Sequence, residues 1–486
     1  MPLKQFLLVT IIFAVSSLVG GCASTSVEPG SNEYTAVIQE DRRALQDNEQ
    51  VPSHIKLSID EALDIAIHEN LDARVAALEY LSSQKEITLE NIKALPSMKY
   101  TLTRHGRDNQ PASSSLSVLT GQQSLEPSVS QERYRSTRDI SINWNIIDAA
   151  SALMQGNEAA DRAKISQERY QKVVQNIHRD VYAAYWSALL HEKAGTDTQK
   201  LINEVQKHIL NIEIAAKERL ISKTQSNQSK LPFLRSVAAL EALQSEAKLA
   251  RIELKSLLNL PQSTTLTLTS KPLSPLSTTH KMLKQDIEAL ELKALENRPE
   301  MREAFLNKNI SIRKTKQEII QTIPGADLFY ALNQDTNSFL VDTSWKTYSI
   351  SLVQNITSLL SFPDRYLAAR KKEDLTEVRR ITMAAAIMAQ VHIARHGLIS
   401  AEDQYQTAQQ ENHAAEQQAF AALKRQHAGH VSKSDTLLAR SQAQEKKLEY
   451  YQSLAGFQES YAAFINALGL EVDDAVNIAS SYKRAA

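Results

Sequence analysis

The chain has 486 residues, enough to bury a sizeable core, yet only 12 Gly and 13 Pro, a scarcity that excludes a loop-rich enzyme and favours long helices. Its 55 Lys and Arg against 56 Asp and Glu give a net charge of -1 with both signs interspersed, which excludes recognition of nucleic acid or an acidic substrate through a field of one sign. It contains no Gly-rich phosphate loop, nucleophile elbow or CxxC pair, so catalysis has no residues to rest on.

The first element in chain order is a secretory signal over residues 1–21: Lys4 precedes the apolar run Phe6 to Val19, and Gly20-Gly21 lead into Cys22, the one cysteine. The run is short for a spanning helix, and its small-residue end resembles a bacterial lipobox whose cleavage leaves Cys22 first and acylated. Ala23 and Ser24, with no Asp directly after Cys22, match the outer-membrane sorting pattern of such lipoproteins. With its one thiol acylated the chain has no disulfide, so stability must come from packing and assembly. No later helix is apolar for long enough to span a bilayer; Ile381 to Ala394 comes nearest and is interrupted by Gln390 and His392.

After a tether over 22–56 the chain reads as two copies of one unit, 57–260 and 286–470, joined by a linker over 261–285 and closed by a segment over 471–486. At an offset of 228, "AIHENLD" (66–72) lies over "ALENRPE" (294–300), Arg74 over Arg302 and Pro96 over Pro324. Each copy therefore opens with a predicted helix of about 38 residues that stops at a proline. Further on the offset is 210, aligning Ile140-Ser-Ile142 with Ile350-Ser-Leu352 and Leu257-Leu-Asn-Leu260 with Ala467-Leu-Gly-Leu470. Copy one thus holds about 18 extra residues. They fall in the Ser-, Pro- and Gln-rich stretch Asp108 to Ser130, a polar surface loop whose counterpart near Asn333 to Asn337 is short.

Around these loops the period changes from helical to alternating: "MKYTL" (98–102), "RDISINW" (138–144), "LFYAL" (328–332) and "TYSISLV" (347–353) predict one β-hairpin per copy, over 97–146 and 325–356. Two lone hairpins are marginal in water, so they call for partner strands from other subunits. Next in each copy comes a very long helix, Asn157 to Leu220 broken only by Gly195 and Asp364 to Ala428 broken only by Gly397, about 95–100 Å each. Tips near 220–230 and 428–434 turn the chain into return helices of roughly 37–39 residues that end at Leu260 and Gly469. Two helices of about 38 residues stacked end to end roughly match one of about 65 with room for a belt, built from 24–56, 261–281 and 471–486.

These features resemble the TolC family of outer-membrane channels over nearly the whole mature chain. The residues that carry the resemblance are "LSIDEALDIAIHENLDAR" (57–74), "ALENRPEMREA" (294–304), the helix-ending Pro96 and Pro324, "INWNIID" (142–148) and "AGHVSKSDTLLARSQAQ" (428–444). The fold class it implies is mainly α with a small β part: duplicated long-helix hairpins forming a trimeric periplasmic α-barrel, continuous with a twelve-stranded outer-membrane β-barrel to which each subunit gives two hairpins. It also implies an exit duct of an efflux pump or type I secretion system, a homotrimer docking through its helix tips onto a periplasmic adaptor and an inner-membrane transporter, with no cofactor beyond the lipid on Cys22.

The candidate docking residues are Leu220, Ile221, Ser222 and Lys223 at one tip and Gly429, His430, Val431, Ser432 and Lys433 at the other. The first tip has Arg219 opposite Gly429, and is followed by polar "KTQSNQSK" (223–230) and Pro232. Asp435 stands where family members carry an aspartate at the constricted mouth, so that three copies would form a carboxylate ring; equally, Ser432 and Asp435 have the spacing of a helix-capping box. The second acidic position of some relatives is Leu438 here. His427 and His430 read as exposed tip residues, and His392 and His396, four apart, lack both the glutamate of a zinc-protease helix and a third ligand. A lipid-anchored periplasmic coiled-coil scaffold or adaptor without a pore is the alternative, and it has no use for hairpins at equivalent points of both copies.

Overall fold

The computed structural model describes residues 31–46, 54–124, 126–269 and 282–470. Cys22 and the closing segment 471–486 lie outside them. After α1 (Ser31–Gln46) and β1 (His54–Leu57), copy one runs α2 (Ile59–Glu69), α3 (Leu71–Ile92), β2 (Ser97–Gly106), the two-residue β3 (Ala112–Ser113) and β4 (Ser128–Val129), β5 (Tyr134–Asn145), α4 (Ile146–Lys217), α5 (Lys223–Leu257) and β6 (Thr265–Leu268). Copy two repeats the pattern as α6 (Ile287–Asn297), α7 (Pro299–Ile320), β7 (Gly325–Asp335), β8 (Ser344–Val353), α8 (Ile356–His427) and α9 (Lys433–Ala467). Equivalent helices have equal lengths of 11, 22, 72 and 35 residues. The offset is 228 before the hairpin, from Ile59 to Ile287, and 210 after it, from Ile146 to Ile356.

The opening helix of each copy is two helices, not one of about 38 residues. Asn70 has ψ 129 and accepts from the amides of Asp72 (2.9 Å) and Ala73 (3.3 Å), so it caps α3 and ends α2. Arg298, with ψ 125, plays that part before Pro299, because proline drives its predecessor out of the helical region and suits the first helical position itself. The long helices also start earlier than the breaker residues suggest. Asn145 caps α4 through the amides of Ile147 (2.9 Å) and Asp148 (3.0 Å), and Asn355 caps α8 through Ser358, which places Pro363 inside α8. At 72 residues each long helix measures about 108 Å. Similarly the polar stretch 223–230 is the first part of α5, capped by Ser222, with Pro232 inside the helix; the tip is a few residues and not ten. In copy two, Asn333 to Asp335 belong to β7, and the connecting loop is 336–343.

α4 packs against α3 and α5 on one side and against α7 and α9 on the other, while α8 packs against α6, α7 and α9. The helices thus form a wall in the order α3/α5, α4, α7/α9, α8. Both flanks of that wall end in apolar side chains: Val75, Leu78 and Leu89 on α3, Leu234 and Leu249 on α5, and Leu360, Leu367 and Val378 on α8 are all exposed. At about 100° per residue, each of these stripes lies roughly opposite the buried face of its own helix. The sheet has the same openness. Its order is β2-β5-β7-β8, all antiparallel, so the two hairpins join through β5 and β7 and leave β2 and β8 as edges.

The densest core lies at the belt, where β1 pairs in parallel with β6 and Tyr185, Phe457, Phe464, Leu254, Leu258 and Ile465 are buried. Tyr185 Oη lies 2.9 Å from Leu57 O and 2.7 Å from Thr269 O, pinning both belt strands to α4. Burial raises its phenol pKa. Nearby, Glu300 ties α7 to α4 through Lys172 (3.0 Å). Burial opposes its ionisation, but the Arg298 hydrogen bond and the Lys172 charge outweigh it and hold the carboxyl at about 2.

Four helices end in the same way, with a left-handed residue and paired backbone bonds reaching back over the last turn. These residues are Arg219 (φ 60) and Gly429 (φ 78) at the tips, and Asn259 (φ 50) and Gly469 (φ 69) at the belt. A Cβ at Gly469 would lie 2.9 Å from the backbone of Arg298 and Asn297, whereas one at Gly429 meets nothing within 4 Å. The tip therefore tolerates a side chain in space and opposes it only through the backbone. Accordingly, Arg219→Gly is expected to stabilise the first tip by about 1 kcal/mol, and Gly429→Arg to weaken the second by a similar amount. Hydrogen exchange of the tip amides measures both; unchanged protection would contradict the strain.

Candidate functional site

Two surfaces can carry function, the helix tips and the sheet. At the second tip Ser432 Oγ accepts from Asp435 N (3.0 Å) and donates to Asp435 Oδ2 (2.7 Å), while Thr436 Oγ1 donates to Ser432 O (3.1 Å). Asp435 is thus a capping partner in this chain, and its carboxylate stays exposed beside the amides of the first turn, where negative charge suits the helix dipole. At the first tip Ser222 Oγ accepts from Gln225 N (3.1 Å), and an amide there carries no charge to offer a ring. Leu220, Ser222, Lys223, Gly429, His430, Ser432 and Lys433 are exposed, and Ile221 and Val431 are partly so. The docking candidates therefore form two separate turns of one shape.

The lower wall is stitched across the copies. His208 Nε2 of α4 lies 3.0 Å from Ser434 Oγ of α9, with its ring edge-on to Phe233 of α5 at 4.8 Å between centroids. Burial, then the Lys433 charge, lowers its pKa, so the ring stays neutral more readily than a free histidine. Farther from the tip, Arg440 reaches Glu204 (3.0 Å), and Gln444 reaches Thr198 (2.8 Å). A second core of Leu201, Ile202, Val205, Phe233, Val237, Leu240 and Leu437 lies among α4, α5 and α9. Sequence reading passed over His208, because nothing in a helical pattern marks which histidine faces a neighbour. His392 pairs with Glu291 of α6 at 2.7 Å.

The sheet has one apolar and one polar face, as alternation demands. The first bears Met98, Tyr100 and Leu102; Ile140, Ile142 and Trp144; Leu328, Tyr330 and Leu332; and Tyr348, Ile350 and Leu352. Tyr348 is 82% and Ile350 79% exposed, so this is a continuous apolar surface on open display. Trp144 at its helix end donates from Nε1 to Ala94 O (3.0 Å). The other face is mainly polar, carrying Thr101, Thr103, Asp139, Asn143, Asp327, Asn333, Thr347 and Ser349 together with Phe329, Ala331 and Trp345, with Asn145 donating to Asp327 (2.8 Å) and Asn333 to Thr347 (2.9 Å). At its loop end Arg135 pairs with the buried Asp335 at 2.7 Å. Asn337 then fastens the two loops together through Ser130 O (3.1 Å) and Glu132 N (3.2 Å). Among the described residues no helix is long and apolar enough to cross a membrane.

A polar-faced, apolar-backed sheet with open edges is continuous with helices of about 108 Å. Solved membrane-protein structures, outer-membrane channels among them, share this fold. The CmeC outer membrane channel of Campylobacter jejuni superposes with a TM-score of 0.66 at 12% identity, covering 87% of this chain and 88% of that one. A membrane protein of Pseudomonas aeruginosa gives 0.66 at 13%, covering 86% and 91%. The open state of the MtrE outer membrane channel of Neisseria gonorrhoeae gives 0.63 at 15%, covering 85% and 89%. No protein-family model and no curated protein matches the chain. The likeness is therefore one of fold, and it extends over helices, belt and sheet together.

The tip separates two roles for one carboxylate. If Asp435 only caps, Asp435→Asn should cost about 0.5–1 kcal/mol of local helix stability and leave conductance unchanged. If three copies form a constriction ring, the same change should lower cation selectivity and block by multivalent cations. Ser432→Ala, which removes the cap and keeps the charge, is the control in bilayer recordings.

Proposed function

We propose that this chain is a TolC-family outer-membrane channel, three copies of which close into one duct that passively conducts substrates outward. The carrying observation is that sheet and helical wall are open on the same two sides. β2 and β8 are unpaired edges, and the exposed apolar stripes of α3/α5 and α8 stand at the matching flanks of the wall. Flanks of different composition on one chain fit a head-to-tail ring. Eight strands from two copies would leave an interior filled by side chains, whereas twelve from three leave a lumen. The polar face then lines the pore and the apolar face meets lipid.

In this reading the helices stand in the periplasm, the two tips dock a periplasmic adaptor coupled to an inner-membrane transporter, and acylated Cys22 anchors the chain to the outer membrane. The system served is an efflux pump or type I secretion apparatus, and no catalytic step is involved. A scaffold without a pore would have no reason to display twelve apolar side chains on one face of a four-stranded sheet.

Val378→Asp and Leu78→Asp test the seam. Each removes about 2 kcal/mol of apolar burial per interface and places a charge there, so the detergent-resistant trimer band and single-channel conductance should both be lost. A monomeric parent chain, or full conductance in both variants, would refute the ring.

In this reading the loop end of the sheet faces the exterior. The loop from Ala112 to Ser130, with its own β3–β4 ladder, lies at the end of the sheet away from the helices. An epitope inserted near Gly121 should label on intact cells; labelling only after the outer membrane is ruptured would invert the orientation.

A further inference from the structure

On the apolar face of the sheet, the next position toward the loops beyond the last apolar side chain follows a pattern. In β2 Leu102 is followed by Arg104, in β5 Ile140 by Arg138, in β7 Leu332 by Gln334, and in β8 Tyr348 by Lys346. Three of these four positions are cationic, and all four side chains are exposed. None of the three cations has an ion pair among the described residues, and that face carries no Asp or Glu on any of the four strands. At the helix end of the band the corresponding positions are Pro96, Ile146, Pro324 and Gln354, none of them charged.

By register these positions step down the sheet by one outward position from Arg104 to Arg138 and by one more to Lys346. Leu102 faces Arg138, Ile140 faces Leu332, and Leu332 faces Lys346. The top of the apolar band thus slips by one outward position from β2 to β5 and by another from β7 to β8. Strands in a closed barrel are tilted, and such a slip is what keeps a band level with the membrane plane. Arg104, Arg138 and Lys346 then stand at one height, just outside the hydrocarbon. Long stems reaching up to the interface make cations tolerable there, at far less cost than at the midplane. Tolerance does not account for the sign. Neutral Gln334 meets the same need, and acids would snorkel less well but are absent from the helix end too.

Resting on the channel reading, we propose that Arg104, Arg138 and Lys346, repeated around the trimer, form a cationic collar that holds the phosphate groups of outer-leaflet lipid headgroups. Guanidinium forks grip phosphate oxygens in pairs, and Lys346 adds a point charge beside the next subunit's β2 edge. The collar would orient the barrel in an asymmetric membrane, because only the loop end carries it.

The experiment uses full-length trimers in phosphatidylcholine vesicles doped with diphosphorylated lipid A or with the same glycolipid stripped of phosphate. Native mass spectrometry then counts the glycolipid retained after detergent extraction. The parent should retain the phosphorylated form and not the stripped one. The combined variant Arg104→Gln, Arg138→Gln, Lys346→Gln should retain on the order of tenfold less, and the charge-keeping variant Arg104→Lys, Arg138→Lys should still bind. Millimolar inorganic phosphate should displace neither, since a free anion lacks the acyl chains that place it. Equal retention of both glycolipids, undiminished retention by the neutral variant, or displacement by inorganic phosphate would overturn the collar. Conductance across the same vesicles is read in parallel. A conducting parent with no lipid preference ends the collar alone, whereas a parent that never conducts ends the channel reading and the collar with it.

Discussion

A pair of unpaired backbone edges is the constraint on which the rest of this structure depends. Four strands supply hydrogen bonds to one another through β5 and β7 but leave the outer rows of β2 and β8 without partners. In the proposed channel, lipid would offer no water to satisfy them, and the sheet would close on copies of itself. That requirement propagates downward. The strands continue into α3, α4, α7 and α8 through short turns, and the helical wall inherits the same open flanks and the same direction of closure. Apolar stripes on two opposite sides of α8 and of α3 are a consequence, since a helix in the middle of a wall must bury two faces.

The belt is what allows such a tall wall to hold its register. Helices of 72 residues could slide by a turn at little cost if held by apolar stripes alone, because one heptad resembles the next. The belt breaks that degeneracy with groups that fit one way. Tyr185 spans both belt strands, Arg298 reaches Gln390 of α8 and Glu300 of α7, and Gly469 lets two backbones meet where any side chain would collide. Higher up, buried Glu158 and Asp161 of α4 meet Lys314 (3.1 Å) and Arg313 (3.0 Å) of α7. Removing one partner of such a pair would strand a buried charge, so these pairs specify alignment more than they add stability.

Much of this was legible in the sequence because duplication amplifies weak signals. One Ser-x-x-Asp box is common; a Ser-x-x-Gln counterpart 210 residues away, with the same helix lengths around it, is not. The two offsets survive in the structure without change. What escaped notice did so for local reasons. Asn70 and the Arg298-Pro299 pair are ordinary capping signals hidden inside strong helical periodicity, and Pro232 and Pro363 each sit within a helix already fixed by its cap. At the tips the identities of the exposed residues could be listed from sequence, but not that Asp435 spends its carboxylate on Ser432. The basic positions above the apolar band were invisible until strand register put Leu102, Ile140 and Tyr348 on a common face.

Duplication without identity has one more outcome. The first tip turns on a left-handed arginine and its Ser222 caps the backbone amide of Gln225; the second turns on glycine, and its Ser432 caps the Asp435 amide and also donates to the Asp435 carboxylate. A ring of three chains therefore offers six sockets in strict alternation, with equal helix lengths but unequal chemistry at their rims. A partner built from one kind of hairpin would have to fit both kinds of socket, or seat in every other one. In the proposed ring the stoichiometry of docking would follow from the difference between two short turns, which a chain with two identical copies could not encode.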